Sequence, residues 1–218
     1  MVGCHTRPTY DETGRLTKIR QPPDKLQFVD ARFPGWDETG DFVRTYDPSR
    51  ASVDAPFGFG WSHSFDVSID GLTNAMRTVR FGDGRAITFQ PVGPGQNESR
   101  EGSWTLRSPA NGTFQLEDGA QHRWTFNSKG KLLSVESGGK TLLLTYGRDG
   151  RLERITEGAK WVVQFVYGAN GRIIKVTDPT GRDCPYTYDA SGNLVSAEVR
   201  DVKTEFLYNK DHVMFDRR

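Results

Sequence analysis

The chain reads as an all-β protein: an antiparallel β-meander of tandem hairpins forming a curved sheet, preceded by an irregular β module. Three observations predict this. A decamer recurs through the C-terminal half on a beat of 20 or 21 residues. The apolar residues leading into each copy alternate with period two, the period of a strand. The 24 glycines and 11 prolines among 218 residues are spread along the chain, which leaves no room for long helices.

The repeat comes first because it organises the rest. Tyr146-Gly147-Arg148-Asp149-Gly150-Arg151-Leu152 is followed by Tyr167-Gly168-Ala169-Asn170-Gly171-Arg172-Ile173 and by Tyr188-Asp189-Ala190-Ser191-Gly192-Asn193-Leu194. Phe126 opens an earlier copy and Tyr208 a later one, so the aromatic positions step by 20, 21, 21 and 20 residues. Tyr146, Gly150 and Leu152, with Tyr167, Gly171 and Ile173 and with Tyr188, Gly192 and Leu194, are the residues expected to define the repeat structurally. Each glycine stands where a type I turn closes on a left-handed residue, so each decamer is a predicted hairpin. His212 takes that place in the last copy, and histidine is among the residues enriched at positive φ.

Reading backwards by twos gives Leu142, Leu144 and Tyr146; Trp161, Val163, Phe165 and Tyr167; Cys184, Tyr186 and Tyr188; and Val202, Thr204, Phe206 and Tyr208. The shared phase predicts one buried face. After each turn the apolar pairs Leu152/Ile155, Ile173/Val176 and Leu194/Ala197 are three apart, as expected where a bulge shifts the pleat. A second set of turns at Gly138-Gly139, Glu157-Gly158, Pro179-Thr180-Gly181 and Asp201 completes two strands per unit.

The N-terminal half carries a different signature: Arg44-Thr45-Tyr46-Asp47, then Phe57-Gly58-Phe59-Gly60-Trp61-Ser62-His63-Ser64. Gly58, Gly60, Trp61 and His63 are the structural residues expected here: a glycine-relieved bend, a core tryptophan and a histidine hydrogen-bonded behind it. Serine beside histidine suggests hydrolase chemistry, but neighbours on a strand face opposite ways and no strand-turn-helix elbow is present. No catalytic, metal-binding or cofactor-binding residue is assigned. His5, His63, His122 and His212 show no metal-ligand spacing, and Cys4 and Cys184, far apart, are expected to be free thiols.

These residues resemble the YD repeat of the RHS-repeat family, in which Tyr-Asp precedes Gly-Arg-Leu. Tyr188-Asp189 with Gly192-Asn193-Leu194 matches it, and Tyr10-Asp11-Glu12-Thr13-Gly14-Arg15-Leu16 matches it more closely. The Arg44 to His63 stretch resembles the segment through which bacterial RHS proteins lead into the array. The expected organisation is an N-terminal lead at 1–36 with one isolated decamer, an opening β module at 37–110 and the repeat array at 111–218. The resemblance implies a segment of a hollow β-cocoon, similar to toxin-complex C components and the teneurin shell. Such a segment encapsulates or presents a toxin or effector domain without enzymatic activity.

The implied partners are the remainder of a longer shell and its cargo, with self-association through sheet edges. The rival reading is a carbohydrate- or cell-surface-binding module, since aromatic residues make up 11% of the chain; a cryptic hydrolase is the third. The strand phase turns the aromatic residues inward, which favours the shell. Lys and Arg number 29 against 28 Asp and Glu, so no basic face argues for nucleic acid. The longest aliphatic run, Leu142-Leu143-Leu144, spans no membrane. Residues 1–8 lack an apolar signal segment, which leaves a cytosolic chain, export by another route or a piece of something longer; the family resemblance implies the last, secreted or at the cell surface as part of a larger exported protein.

Overall fold

A computed structural model of the chain describes residues 25–71, 76–90, 98–108 and 112–217. The Tyr10 decamer, Cys4 and His5 lie outside the described residues. Two short 3-10 turns, Glu38–Gly40 and Pro48–Arg50, are the helical elements among the described residues, and nineteen strands make up the rest of the regular structure. No helix among the described residues is long and apolar enough to cross a membrane.

Three sheets form. β1 (Leu26–Ala31), β2 (Phe42–Tyr46) and β3 (Trp61–His63) pair in that order. β4 (Ser68–Asp70), β5 (Arg77–Arg80) and β6 (Ala86–Phe89) make a second small sheet. The third is a ladder of thirteen antiparallel strands in sequence order. It starts with β7 (Glu98–Glu101), β8 (Trp104–Arg107), β9 (Phe114–Glu117), β10 (Arg123–Phe126) and β11 (Leu132–Ser137). It continues through β12 (Lys140–Tyr146), β13 (Leu152–Glu157), β14 (Trp161–Tyr167) and β15 (Ile173–Thr177). β16 (Asp183–Tyr188), β17 (Leu194–Val199), β18 (Val202–Tyr208) and β19 (Met214–Arg217) complete it.

Strand pairing does not follow the boundaries expected at 36/37 and 110/111. β1 pairs with β2, and β7 and β8 belong to the ladder although they precede the recognisable decamers. Pairing needs only alternating residues and a turn, so the sheet runs past the point where the motif stops being legible.

The decamer turns take the expected form. In the second copy Gly150 N–H donates to Gly147 O at 2.9 Å, Gly147 N–H donates to Arg151 O at 2.8 Å, and Gly150 has φ +80°. The same pair of bonds recurs at 127–131, 168–172, 189–193 and 209–213, where His212 has φ +62°. The shift of the pleat is a separate event two residues further on. Thr145 faces Arg154 while Tyr146 faces Leu152, so Glu153 is an extra residue. Leu133, Ile174, Val195 and Phe215 are extra in the same way. Each unit therefore carries a turn bulge and a strand bulge, which together bend the ladder locally at every repeat.

The buried face is the predicted one: Leu142, Ile155, Val163, Ile173, Val176, Cys184, Leu194 and Phe206 are all at most 1% exposed. Val202 departs from it at 64% exposed, because it sits beside the tight turn at Arg200 and Asp201 at the end of its hairpin. What covers this face is the β1–β3 sheet and, beside Trp104 and Trp124 of the early ladder, the β4–β6 sheet through Phe81, and together they enclose one continuous apolar core.

Candidate functional site: the seam and the arginine centre

The side chains that define the repeat join one unit to the next. The Tyr146 hydroxyl donates to Leu132 O of the preceding unit at 2.8 Å, Tyr167 to Leu152 O at 2.9 Å and Tyr188 to Ile173 O at 2.6 Å. Each acceptor immediately precedes a strand bulge, where the regular ladder is interrupted. Each hydroxyl thus meets a carbonyl at the point of disruption, and a buried carbonyl without a partner is costly. Burial pushes Tyr167 up to about 12 and raises Tyr146 and Tyr188 as well, so all three stay protonated donors.

The cation after the turn glycine reaches in the same direction. Lys131 Nζ lies 3.8 Å from the Tyr146 ring centre and donates to Gly150 O. The guanidinium of Arg151 lies 5.4 Å from the Tyr167 ring and that of Arg172 5.9 Å from Tyr188. A Cβ on Gly171 or Gly192 would stand 2.9 or 2.6 Å from those guanidinium groups, so the glycine also clears space for its neighbour's cation. The Asp or Asn of the motif holds the turn. Asp189 Oδ1 accepts Asn193 N–H at 2.9 Å, and where position two is glycine, Asp149 and Asn170 accept from Arg151 and Arg172 instead.

The opening module engages the end of this seam. Phe28, Arg44 and His63 stand opposite one another across β1, β2 and β3, and so do Leu26, Tyr46 and Trp61. Their two-residue spacings turn them to one face. Trp61 is 1% exposed, and its Nε1 donates to the Tyr208 hydroxyl at 2.8 Å. The Tyr46 hydroxyl accepts Met214 N–H at 2.8 Å and donates to His212 O at 3.3 Å. Between them the loop before β3 crosses the turns. Pro56 O accepts Ile173 N–H at 2.8 Å, Asp54 and Ala55 O accept from Arg172, and Phe59 stacks on His212 at 3.7 Å. A Cβ on Gly58 would fall 2.9 Å from Gly192 O, and one on Gly60 2.7 Å from the Tyr46 ring.

At the middle of this interface lies an ion pair cut off from water. The side chains of Arg44 and Asp30 are 1% and 0% exposed. Arg44 Nε donates to Asp30 Oδ2 at 2.6 Å and Nη2 to Oδ1 at 3.1 Å. Asp30 is the extra residue of a bulge in β1, which aims its carboxylate at the arginine across the strand. The Tyr186 hydroxyl of the ladder donates to the same Oδ2 at 2.8 Å. The guanidinium carbon lies 4.9 to 5.9 Å from the ring centres of Trp61, Tyr186, Phe28, Phe57 and Phe206. Burial alone depresses Arg44, but the Asp30 carboxylate outweighs it and holds the guanidinium above its ordinary value.

His63 does not make the hydrogen bond expected of it. Its Nδ1 is buried without a partner, and the ring packs against Phe42 at 5.2 Å and Phe57 at 6.2 Å, while burial holds it below the usual histidine value. Neither adjacent serine aims at it. Ser62 Oγ donates to Gly82 O and Ser64 Oγ to Asp41 O at 2.7 Å. Burial pushes the Cys184 thiol up to about 12, leaving it a protonated core group. Among the described residues no three His, Cys, Asp or Glu side chains group as metal ligands. The arrangement joins two sheets; it presents no activated nucleophile.

Asp30 is the residue the sequence did not single out; Arg44 and Tyr46 are legible there only as letters of a motif, and Tyr186 and Tyr208 only as members of the alternating buried phase. The available signal was a charge in the apolar phase: Arg44 lies between Phe42 and Tyr46 by twos.

Comparison with known proteins agrees with both halves. A family model described as Teneurin YD-shell matches residues 109–214, and one described as Domain of unknown function (DUF6531) matches residues 25–89. No curated protein sequence matches the chain. Among solved structures, a crystal structure of TcdB2-TccC3-TEV is similar at 14% identity, with a TM-score of 0.35 over 92% of this chain. This chain spans 12% of that one. With the tandem tyrosine-glycine-leucine seam inside the segment that matches the YD-shell model, and the DUF6531 match ahead of it, the chain belongs to the RHS/YD-repeat family.

Proposed function

We propose that this chain is a wall segment of a YD-repeat shell that encloses or presents a toxin or effector domain, and that its role is structural. The observation that supports this best is the seam. Each unit supplies what the next one needs, so the ladder extends by adding identical hairpins, and β19 is paired on one side only among the described residues. We divide the chain at the strand pairing: residues 25–89 form the opening module and 98–217 the wall. Gly58, Gly60, Trp61 and His63 belong to the joint between them, and the tyrosine, glycine and aliphatic residues of each unit to the seam.

Size limits what one copy does. Thirteen strands at about 4.8 Å span roughly 60 Å. A loop around a domain of about 120 residues is roughly 140 Å in circumference, so further strands must join the ladder to close it. The cargo and export of such a shell come with the larger polypeptide in which it operates.

An open strand edge pairs with whatever strand reaches it. The isolated chain is therefore expected to associate reversibly through β19 at tens of micromolar, giving a mass that rises with concentration in light scattering. A monodisperse monomer across that range would count against β19 as a growth edge.

A further inference from the structure

The opening module is fastened to the ladder at a second place, far along the sheet from Arg44. The segment between β1 and β2 forms a strap over the ends of β10 to β13. Lys140 Nζ donates to Gly35 O, Trp36 Nε1 to Glu157 Oε2 at 2.8 Å and Ser137 Oγ to Asp37 Oδ2. The fourth link is His122, in the turn before β10. Its Nδ1 lies 2.7 Å from Asp118 Oδ2 in its own turn, and its Nε2 lies 3.3 Å from Asp37 Oδ2 on the strap.

Two ring nitrogens facing two carboxylates define a protonation state. Only the imidazolium donates from both nitrogens; the neutral ring that keeps its bond to Asp118 turns a lone pair toward Asp37. We infer that His122 is a pH-dependent latch, holding the strap of the opening module to the ladder when protonated and releasing it when neutral, while the Arg44 centre holds throughout. This rests on the geometry of the joint and does not depend on cargo or on shell closure.

The other charges near His122 are committed elsewhere. Glu117 pairs with Arg107 and Arg123, Glu136 pairs with Arg123, and Lys140 is bound to Gly35 O. The Trp124 ring stands edge-on to His122 at 6.0 Å. Glu117, Asp118, Arg123, Glu136 and Lys140 line a polar groove of about 450 Å³ between the 118–122 and 137–140 turns.

The sign follows from the two groups. Burial lowers His122, but the hydrogen bond and charge of Asp118, then the charge of Asp37, outweigh it and raise it above its ordinary value. Burial raises Asp37, yet hydrogen bonds from Ser137 and Thr39 outweigh that and hold it at about 2. The latch contribution is fully present below the unfolded histidine value of about 6.5 and is lost as pH rises through the higher folded value. At the acid end it persists until Asp37 titrates.

The test is amide hydrogen exchange on the full chain, corrected for intrinsic rates, at about pH 5.5 and about pH 8.5, either side of the histidine range. Peptides covering 33–41 should exchange at least about threefold faster at the higher pH, the gain expected when one modest polar link is lost, while peptides covering β16 to β18 keep their protection. In His122→Gln the strap should exchange at the high-pH rate at both pH values. Equal strap protection at both pH values in the unmodified protein, or a pH step retained in the variant, would overturn the latch. An NMR titration of the unmodified chain reads the same group without a mutation: His122 should titrate above the ordinary histidine range, and titration within or below it would also overturn the proposal.

Discussion

Replacing Asp30 with alanine is expected to lower the unfolding free energy by about 3–5 kcal/mol, because it strands a guanidinium among five aromatic rings with no counter-charge. It also leaves the Tyr186 hydroxyl without its acceptor. Urea denaturation followed by tryptophan fluorescence should report the loss, since Trp61 lies 4.9 Å from the guanidinium carbon. Removing the whole polar group should do less harm than breaking it. The triple replacement Asp30→Leu, Arg44→Met and Tyr186→Phe is expected to recover most of the stability, because apolar substitutes of similar volume need no partner. A loss under about 1 kcal/mol in Asp30→Ala would mean that water reaches the pair and that it does not carry the joint.

The second large effect separates two duties of a turn glycine. Gly130 has φ +75°, and a Cβ there would lie 2.2 Å from Ile69 O, because the turn is pressed onto β4 by a hydrogen bond from Ile69 N–H to Gly130 O at 2.9 Å. Gly130→Ala therefore combines backbone strain of about 1–2 kcal/mol with overpacking of about 1–3 kcal/mol, roughly 2–5 kcal/mol in all. Gly181 has φ +85°, but a Cβ there would meet nothing within 4 Å, so Gly181→Ala should show the strain alone, about 1–2 kcal/mol. The two variants compared by urea midpoint should differ clearly. Equal losses would mean that the turn, and not its docking on β4, decides both.

The ladder was legible because its signal is local and repeated. A strand of alternating residues, a turn residue able to take positive φ and an aromatic at a fixed offset recur, and His212 obeyed the rule even where glycine was missing. The seam was only half legible. Tyr167 and Arg151 were visible as motif letters, but their partners, Leu152 O and the Tyr167 ring, follow from a bulge whose carbonyl no sequence pattern advertises. The joint was least legible. Asp30 reaches Arg44 through a bulge that breaks the two-residue phase of β1, and Tyr186 reaches Asp30 across 156 residues of sequence. A hydrogen bond is expected of His63 because histidine usually makes one; the ring instead packs among phenylalanines contributed by three different segments, Phe42, Phe57 and Phe165.

The proposed role for the ladder, a wall around a cargo domain, predicts how a protease meets that cargo. Limited proteolysis of the full polypeptide in which this chain is expressed, with and without Asp30→Ala, tests the proposed wall most directly. A shell predicts a cargo domain that resists protease in the intact protein and is degraded once the joint between opening module and ladder is broken. A cargo cleaved equally fast in both, or an intact polypeptide with no protected domain, would contradict the account.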